Sequence, residues 1–212
     1  MEPEVIWGYI DSERASLAGL LADLTEDEWR VPSLCPGWSV ADVAAHVISS
    51  PQARPLALLG AMIRARGDFD RLVFEEGRRR GAARPADIVA QYRRFAGSRR
   101  HPPGTTIADP LLDVLVHGQD IAVPLGRPRA MPAEAARVAA DRIWTKSFPF
   151  KARKRLAGLR LTATDIDWSA GQGREVRGPI EALVLLLTGR AISLPRLSGD
   201  GVGALRDRLP AA

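Results

Sequence analysis

The chain has 212 residues, of which 46% are hydrophobic and 26% charged, a composition typical of a globular protein and not of a disordered or fibrous one. The longest purely apolar run, residues 182–187, is too short to span a bilayer, and the single cysteine, Cys35, excludes an internal disulfide. The net charge of +5 arises from 30 basic and 25 acidic residues that are interspersed, so we do not expect nucleic-acid binding.

No basic start followed by an apolar block opens the sequence, so we expect no signal peptide, no membrane partner and a cytoplasmic location. The first predicted helix has residues recurring at steps of three and four, which is typical of a helix in a bundle. They are Trp7, Ile10, Arg14, Leu17, Leu21 and Leu24. Two capping boxes, Thr25 with Glu28 and Ser39 with Asp42, then predict the starts of two further helices.

The helix from Ser39 is predicted to end before Pro51, and another is predicted over residues 56–66. Residues 67–84 are charged and contain glycines, so we expect a partly helical, solvent-exposed connection there. Pro85 then opens a helix with apolar and aromatic residues spaced for burial.

The stretch DPLLDVLVHGQD, residues 109–120, places ionisable groups in an otherwise apolar helix. Asp109 is expected at the N-cap and Pro110 at the first helical position, with the helix continuing to about Pro124. Burying ionisable groups costs free energy unless they are paired, hydrogen-bonded or bound to a cation. The sequence therefore predicts the functional site on this helix.

Asp113, His117 and Asp120 fall within one narrow sector of that helix, at about 100° per residue. An acid and a histidine four residues apart can both reach one metal ion, but they equally suit a satisfied Asp–His hydrogen bond in a core. His46 lies at the edge of the apolar face of the helix from Ser39. Its position alone favours a hydrogen-bonding residue at the margin of the core over a metal ligand.

The C-terminal part changes character after a helix predicted over residues 133–147. Residues 159–167 alternate as a strand does, a turn is expected at 171–173, and residues 175–177 are predicted to return as the partner strand. The most apolar helix of the chain begins at Pro179. We therefore expect an α+β protein with a small α/β portion at its C-terminal end.

Several motifs together resemble one known family. They are CPGWSVADVAAHV (residues 35–47), DVLVHGQDIAVPLG (113–126), and the C-terminal TATDIDWSAGQG, RGPIEALVLLLTGR and LSGDGV. In this order they resemble the mycothiol-dependent maleylpyruvate isomerase family, within the wider DinB/YfiT-like superfamily of metalloenzymes. The resemblance spans nearly the whole chain.

The resemblance implies a DinB-like four-helix bundle over residues 1–148, with a divalent metal, usually zinc, and a small C-terminal α/β domain over 149–212. It implies a ligand set that matches His46, Asp113 and His117. Such a set leaves one zinc coordination position open for water, thiol or substrate. The family isomerases have glutamate where this chain has Asp113, so either the helix lies closer to the metal or the carboxylate binds through water.

Asp120, close to one turn beyond His117, is expected to accept a hydrogen bond from a ligand histidine or, alternatively, to cap a neighbouring helix. The resemblance further implies mycothiol as a thiol cofactor and a small electrophilic or unsaturated substrate, acted on by an isomerase or S-transferase. The alternative is a protein of the same fold that binds a metal or a small ligand without catalysis.

Two other residue types are relevant to this chemistry. Cys35 has no base beside it in the sequence, so we interpret it as a small buried residue and not as a nucleophile. A substrate carboxylate favours an arginine fork, and Arg78, Arg79, Arg80, Arg93 and Arg94 are candidates that the sequence does not separate.

Overall fold

A computed structural model describes residues 1–146, 148–206 and 208–209. The chain divides into two compact units, Met1–Arg129 and Ala130–Ala212. The predicted fold class is confirmed, because the first unit is helical and the second contains a small sheet. No helix within the described ranges is long and apolar enough to cross a membrane.

Seven α-helices make up the described part of the first unit. They are α1 (Pro3–Ala22), α2 (Glu26–Arg30), α3 (Val40–Val47), α4 (Pro55–Arg64), α5 (Phe69–Gly81), α6 (Pro85–Arg94) and α7 (Ala108–Ala122), with a short 3-10 helix at Ser50–Gln52. Helices α1 and α3 each pack against both α6 and α7. These four helices therefore form a four-helix bundle, while α5 packs on α3 and α4 packs on α5.

Both predicted capping boxes are present. The Thr25 hydroxyl accepts a hydrogen bond from the Glu28 N–H at 3.3 Å, and the Glu28 carboxylate accepts one from the Thr25 N–H at 2.8 Å. Ser39 and Asp42 form the same reciprocal pair at the start of α3. The second box fixes the start of α3. His46 lies in the last turn of this short helix.

Helix α7 begins earlier than predicted, at Ala108, and Asp109 is not its N-cap. The Asp109 carboxylate instead accepts hydrogen bonds from the N–H of Thr106 at 2.7 Å and from its hydroxyl at 3.0 Å. An acid three residues after a threonine has the spacing of a capping pair, and this local bonding competes with the N-cap role. From residue 110 to 122 only Asp113 and His117 are not buried, so this helix has no solvent-facing side.

The prediction of a partly helical, exposed connection over residues 67–84 agrees with the structure in that thirteen of these residues form α5 and most of the segment is exposed, but Leu72 and Gly77 are buried. Asp68 caps the helix by accepting a hydrogen bond from the N–H of Arg71 at 3.0 Å. A Cβ atom on Gly77 would collide with the indole of Trp38. The glycine that suggests a loop in the sequence is therefore a position where α5 approaches its neighbour closely.

In the second unit, a three-stranded sheet follows two helices. The elements are α8 (Ala133–Thr145), α9 (Ala152–Arg155), β1 (Leu159–Ala163), β2 (Ser169–Gly171), β3 (Arg174–Gly178), α10 (Ile180–Leu187) and α11 (Val202–Arg206), with a 3-10 helix at Ala191–Arg196. Central β1 pairs antiparallel with β2 and parallel with β3. The strand predicted to pair with β1 is β3, and it does pair with β1. The pairing is parallel, because β2 is the strand that returns antiparallel to β1.

Helix α8 belongs to this second unit because its buried alanines, among them Ala136 and Ala140, pack the helix on α10. The division between the compact units lies at residues 129 and 130, whereas the change in composition used in the sequence analysis lies at 148 and 149. The end predicted for α8 at residue 147 lies outside the described residues.

Candidate metal centre

The bundle interior brings together the three side chains predicted as metal ligands. His46 lies in the last turn of α3, and Asp113 and His117 lie one turn apart on α7. The Asp113 Oδ1 atom is 3.5 Å from His46 Nε2 and 3.4 Å from His117 Nε2. Their side chains are 22%, 26% and 15% exposed for His46, Asp113 and His117, so the cluster is sheltered but reachable from solvent.

The spacing of these atoms suits a tetrahedral cation. Ligands at about 2.0 to 2.1 Å from zinc lie roughly 3.3 Å from one another along the edges of a tetrahedron. The two distances to Asp113 Oδ1 are close to that edge, and one donor atom from each of the three residues lies within 4.8 Å of the others. Two imidazoles and one carboxylate are also the donor types that zinc accepts. The residues present therefore fit the implied metal.

Asp120 contacts the Nδ1 atom of His117, on the side of the ring opposite Nε2. This aspartate is completely buried, and its Oδ2 atom lies 2.8 Å from His117 Nδ1. When Nδ1–H donates to Asp120, the Nε2 atom of a neutral ring presents a lone pair towards Asp113. This arrangement requires either a proton on Nε2 or a cation between the two residues.

The electrostatics of the metal-free centre reflect this requirement. Burial opposes ionisation of Asp113, but the charge of His46 and hydrogen bonds from both imidazoles outweigh it and hold the Asp113 pKa well below its usual range. Burial also disfavours a charged His117, yet the hydrogen bonds with Asp113, Asp120 and Cys35 raise the His117 pKa well above 6.5. Without a metal, these contacts therefore favour a proton on His117.

Cys35 contacts two residues of the candidate centre. Its Sγ atom donates to Asp120 Oδ2 at 3.1 Å and lies 3.6 Å from His117 Nδ1. Cys35 is thus half-buried and not buried, and a histidine and an acid lie beside its thiol. The chain separates these residues by more than 80 positions, so sequence adjacency offers no signal of this contact.

Two further polar groups approach the bundle interior from α1 and α6. Arg14 is only 3% exposed, and it lies close enough to Asp113 for the two charges to interact. The Tyr92 hydroxyl donates to the Ala44 carbonyl at 2.8 Å, and burial raises the Tyr92 pKa. The sequence signal for Arg14 is a lone cation among the otherwise apolar residues that recur along α1.

Aromatic rings enclose the two histidines on one side. The Trp38 ring centroid lies 5.1 Å from that of His46 and 6.4 Å from that of His117, and Phe74 of α5 stacks on Trp38 at 6.5 Å. Trp38 is 6% exposed. The CPGW motif thus supplies both the thiol beside Asp120 and the indole beside the histidines.

This fold and this cluster define a class, an α+β protein whose four-helix bundle encloses a candidate metal centre of two histidines and an aspartate. Residues 10–101 match the family model described as "Mycothiol maleylpyruvate isomerase N-terminal domain". The resemblance predicted from the motifs is confirmed over these residues, which are similar to the N-terminal domain of the mycothiol-dependent maleylpyruvate isomerases.

Two solved structures share the fold. One, described as the crystal structure of the mycothiol-dependent maleylpyruvate isomerase, is 17% identical, covers 94% of this chain and 93% of its own, and has a TM-score of 0.66. The other, of a histidine-to-alanine mutant of such an isomerase, is 16% identical with the same coverage and a TM-score of 0.65. No curated protein matches the sequence of this chain.

Proposed function

We propose that this protein is a metal-dependent, mycothiol-dependent enzyme, an isomerase or S-transferase that acts on a small electrophilic or unsaturated substrate in the cytoplasm. The observation that carries the proposal is the Asp113 oxygen that faces the Nε2 atoms of both His46 and His117. The match to this domain supports the thiol, since mycothiol stands in the description of the matching domain.

Each residue of the centre has a definite part in this proposal. His46, Asp113 and His117 would hold a divalent metal, for which zinc suits the donor set. Asp120 accepts the Nδ1–H of His117 and thereby keeps Nε2 directed at the metal position. A bound zinc supplies an open coordination position and lowers the pKa of a thiol that occupies it.

The location of Cys35 favours an external thiol as the nucleophile. Its sulfur lies on the Nδ1 side of His117, beside Asp120, whereas the proposed ligand atom of His117 is Nε2 on the opposite side of the ring. A thiol that reaches the open position must therefore come from another molecule. Trp38 and Phe74 shield one side of the histidines from water.

Elemental analysis and a thiol-dependence assay test the proposal together. Protein purified without chelator should contain about one zinc per chain. With mycothiol it should convert an activated cis-alkene carboxylate such as maleylpyruvate, and removal of either the thiol or the metal should abolish turnover. Stoichiometric metal without thiol-dependent turnover would instead support the alternative, a metal- or ligand-binding protein without catalysis. Absence of metal after reconstitution would refute the centre itself.

A further inference from the structure

A second charged feature of the first unit lies apart from the candidate centre. It is a recess of about 380 Å³ between α4, α5 and the end of α6, a volume within the range of small-molecule sites. Neither histidine of the centre nor either of its carboxylates lines it. Its charged lining consists of Arg54, Arg64, Arg79, Arg80, Arg94, Arg100 and Glu76.

The charges of this arginine recess are not balanced. Glu76 forms ion pairs with Arg64, Arg79 and Arg80, and these three arginines share its single negative charge. Arg54, Arg94 and Arg100 have no carboxylate within ion-pair distance among the residues that the structure describes. The recess is therefore lined by six arginines and one acid.

Part of this positive charge is withdrawn from water. The Arg80 side chain is 28% exposed, and burial lowers the Arg80 pKa although Glu76 opposes that shift. Clustered like charges in a partly dry recess repel one another more strongly than they do on an open surface. A small anion that enters the recess relieves this repulsion.

We propose that the arginine recess is a binding site for a small anion that carries at least two anionic groups. The three arginines without a carboxylate come from separate segments, Arg54 before α4, Arg94 at the end of α6 and Arg100 in the connection to α7. An anion with two groups can contact more than one of these segments, whereas one with a single group contacts fewer. Guanidinium groups bind carboxylate and phosphate oxygens in pairs, so both kinds of group suit the site.

This proposal separates the five arginines that the sequence left equivalent. Arg79, Arg80 and Arg94 line the recess, whereas Arg93 does not and Arg78 pairs with the buried Asp42 at 3.1 Å. The site does not rest on the proposed catalytic function, because it shares no residue with the candidate centre.

Calorimetric titration of chelator-treated, metal-free protein at fixed ionic strength tests the site. The probes are pyrophosphate and succinate, each with its counterpart of one anionic group, orthophosphate and acetate. We expect one of the two larger probes to bind at one site per chain, at least about tenfold more tightly than its counterpart. Preference for pyrophosphate would indicate a phosphorylated ligand, and preference for succinate a dicarboxylate.

Matched variants locate that binding. Arg54→Gln with Arg94→Gln should weaken it about tenfold or more. Arg93→Gln with Arg160→Gln removes the same net charge outside the recess and should change it less than twofold. His117→Ala should leave it unchanged. Equal affinity for the larger probes and their counterparts, equal weakening by both double variants, or loss of binding in His117→Ala would each overturn the proposal.

Discussion

The first unit contains two charged regions that differ in how their charges are balanced. In the candidate centre, acids and imidazoles alternate, from Asp113 between two histidines to Asp120 behind one of them, and the groups are mostly buried. In the arginine recess, cations outnumber acids and several of them face solvent. The first arrangement accommodates a cation in place of protons, and the second accommodates an anion.

Helix α5 is common to both regions. Its residue Gly77 lies against Trp38, which contacts the histidines of the centre, while Glu76, Arg79 and Arg80 line the recess. The sign of the unbalanced charge, and not the number of ionisable groups, therefore indicates what each region binds. Variants that affect one region should therefore leave the other unchanged.

The largest effect is expected from His117→Ala. This substitution removes one of three proposed ligands and the ring that joins Asp113 to Asp120, so metal occupancy and thiol-dependent activity should both fall to background. The buried carboxylates can take up protons, and we expect the free energy of unfolding to fall by about 1 to 3 kcal/mol without loss of the fold. Metal analysis, activity and denaturant unfolding measure the three quantities.

His101→Ala is the matched control for this variant. His101 is the third histidine of the chain, and its Nδ1 atom contacts Thr105 at 2.9 Å, away from the centre. Metal content and activity should be unchanged in it. Retention of stoichiometric metal in His117→Ala, or equal loss in His101→Ala, would contradict the assignment of the centre.

The next effect concerns pH. In the metal-free protein the raised pKa of His117 stabilises the fold below about pH 6.5, and this contribution is lost as pH rises through the folded pKa. The lowered pKa of Asp113 stabilises the fold above about pH 3.8 and is lost only in acid. Zinc must displace the His117 proton, so its affinity should rise about tenfold per pH unit until that pKa is reached.

Thermal unfolding between pH 6 and 9, with and without zinc, measures this competition. The difference in Tm between the two forms should widen as pH rises, and dialysis at pH 4 should remove the metal. A difference that is independent of pH, or metal that survives at pH 4, would exclude ligation by histidine.

The sequence was informative where charge interrupts an apolar pattern. The ionisable residues in the apolar sequence of α7 identified Asp113 and His117, and the two capping boxes identified helix starts. Both signals are local in the sequence. The convergence of His46 with Asp113 and His117 required the family resemblance, since α3 and α7 are more than 60 residues apart in the chain. Local patterns contain no information on which helices become neighbours.

Helix α5 was predicted only in part. Its glycines and charges predict an exposed, partly helical segment, but not that Gly77 and Gly81 are positions of close approach or that Glu76, Arg79 and Arg80 line the recess. A glycine that allows a turn and one that allows close packing look the same in a single sequence. The contacts of Cys35 were not predicted for a related reason, because its neighbours are remote in the chain.

A smaller effect is expected from Gly77→Ala, which tests the close packing of α5 on Trp38. The added methyl group meets the Trp38 indole, so we expect a loss of about 1 to 3 kcal/mol in the free energy of unfolding despite the better helix propensity of alanine. Gly19→Ala in α1 is the control, because nothing lies within 4 Å of the added atom. It should stabilise the protein by up to about 1 kcal/mol. Equal changes in both variants would contradict the close packing of α5.

The smallest effect is expected from Cys35→Ser. A serine hydroxyl can donate to Asp120 Oδ2 as the thiol does, so we expect a change of at most about 1 kcal/mol in the free energy of unfolding and unchanged metal content. If the working thiol is an external cofactor, activity with mycothiol should also stay within about twofold of the parent protein. Because the variant retains the metal, its activity isolates the identity of the nucleophile. Activity lost with metal retained would mean that the sulfur of Cys35 itself reacts, and the dependence on mycothiol would then have to be abandoned.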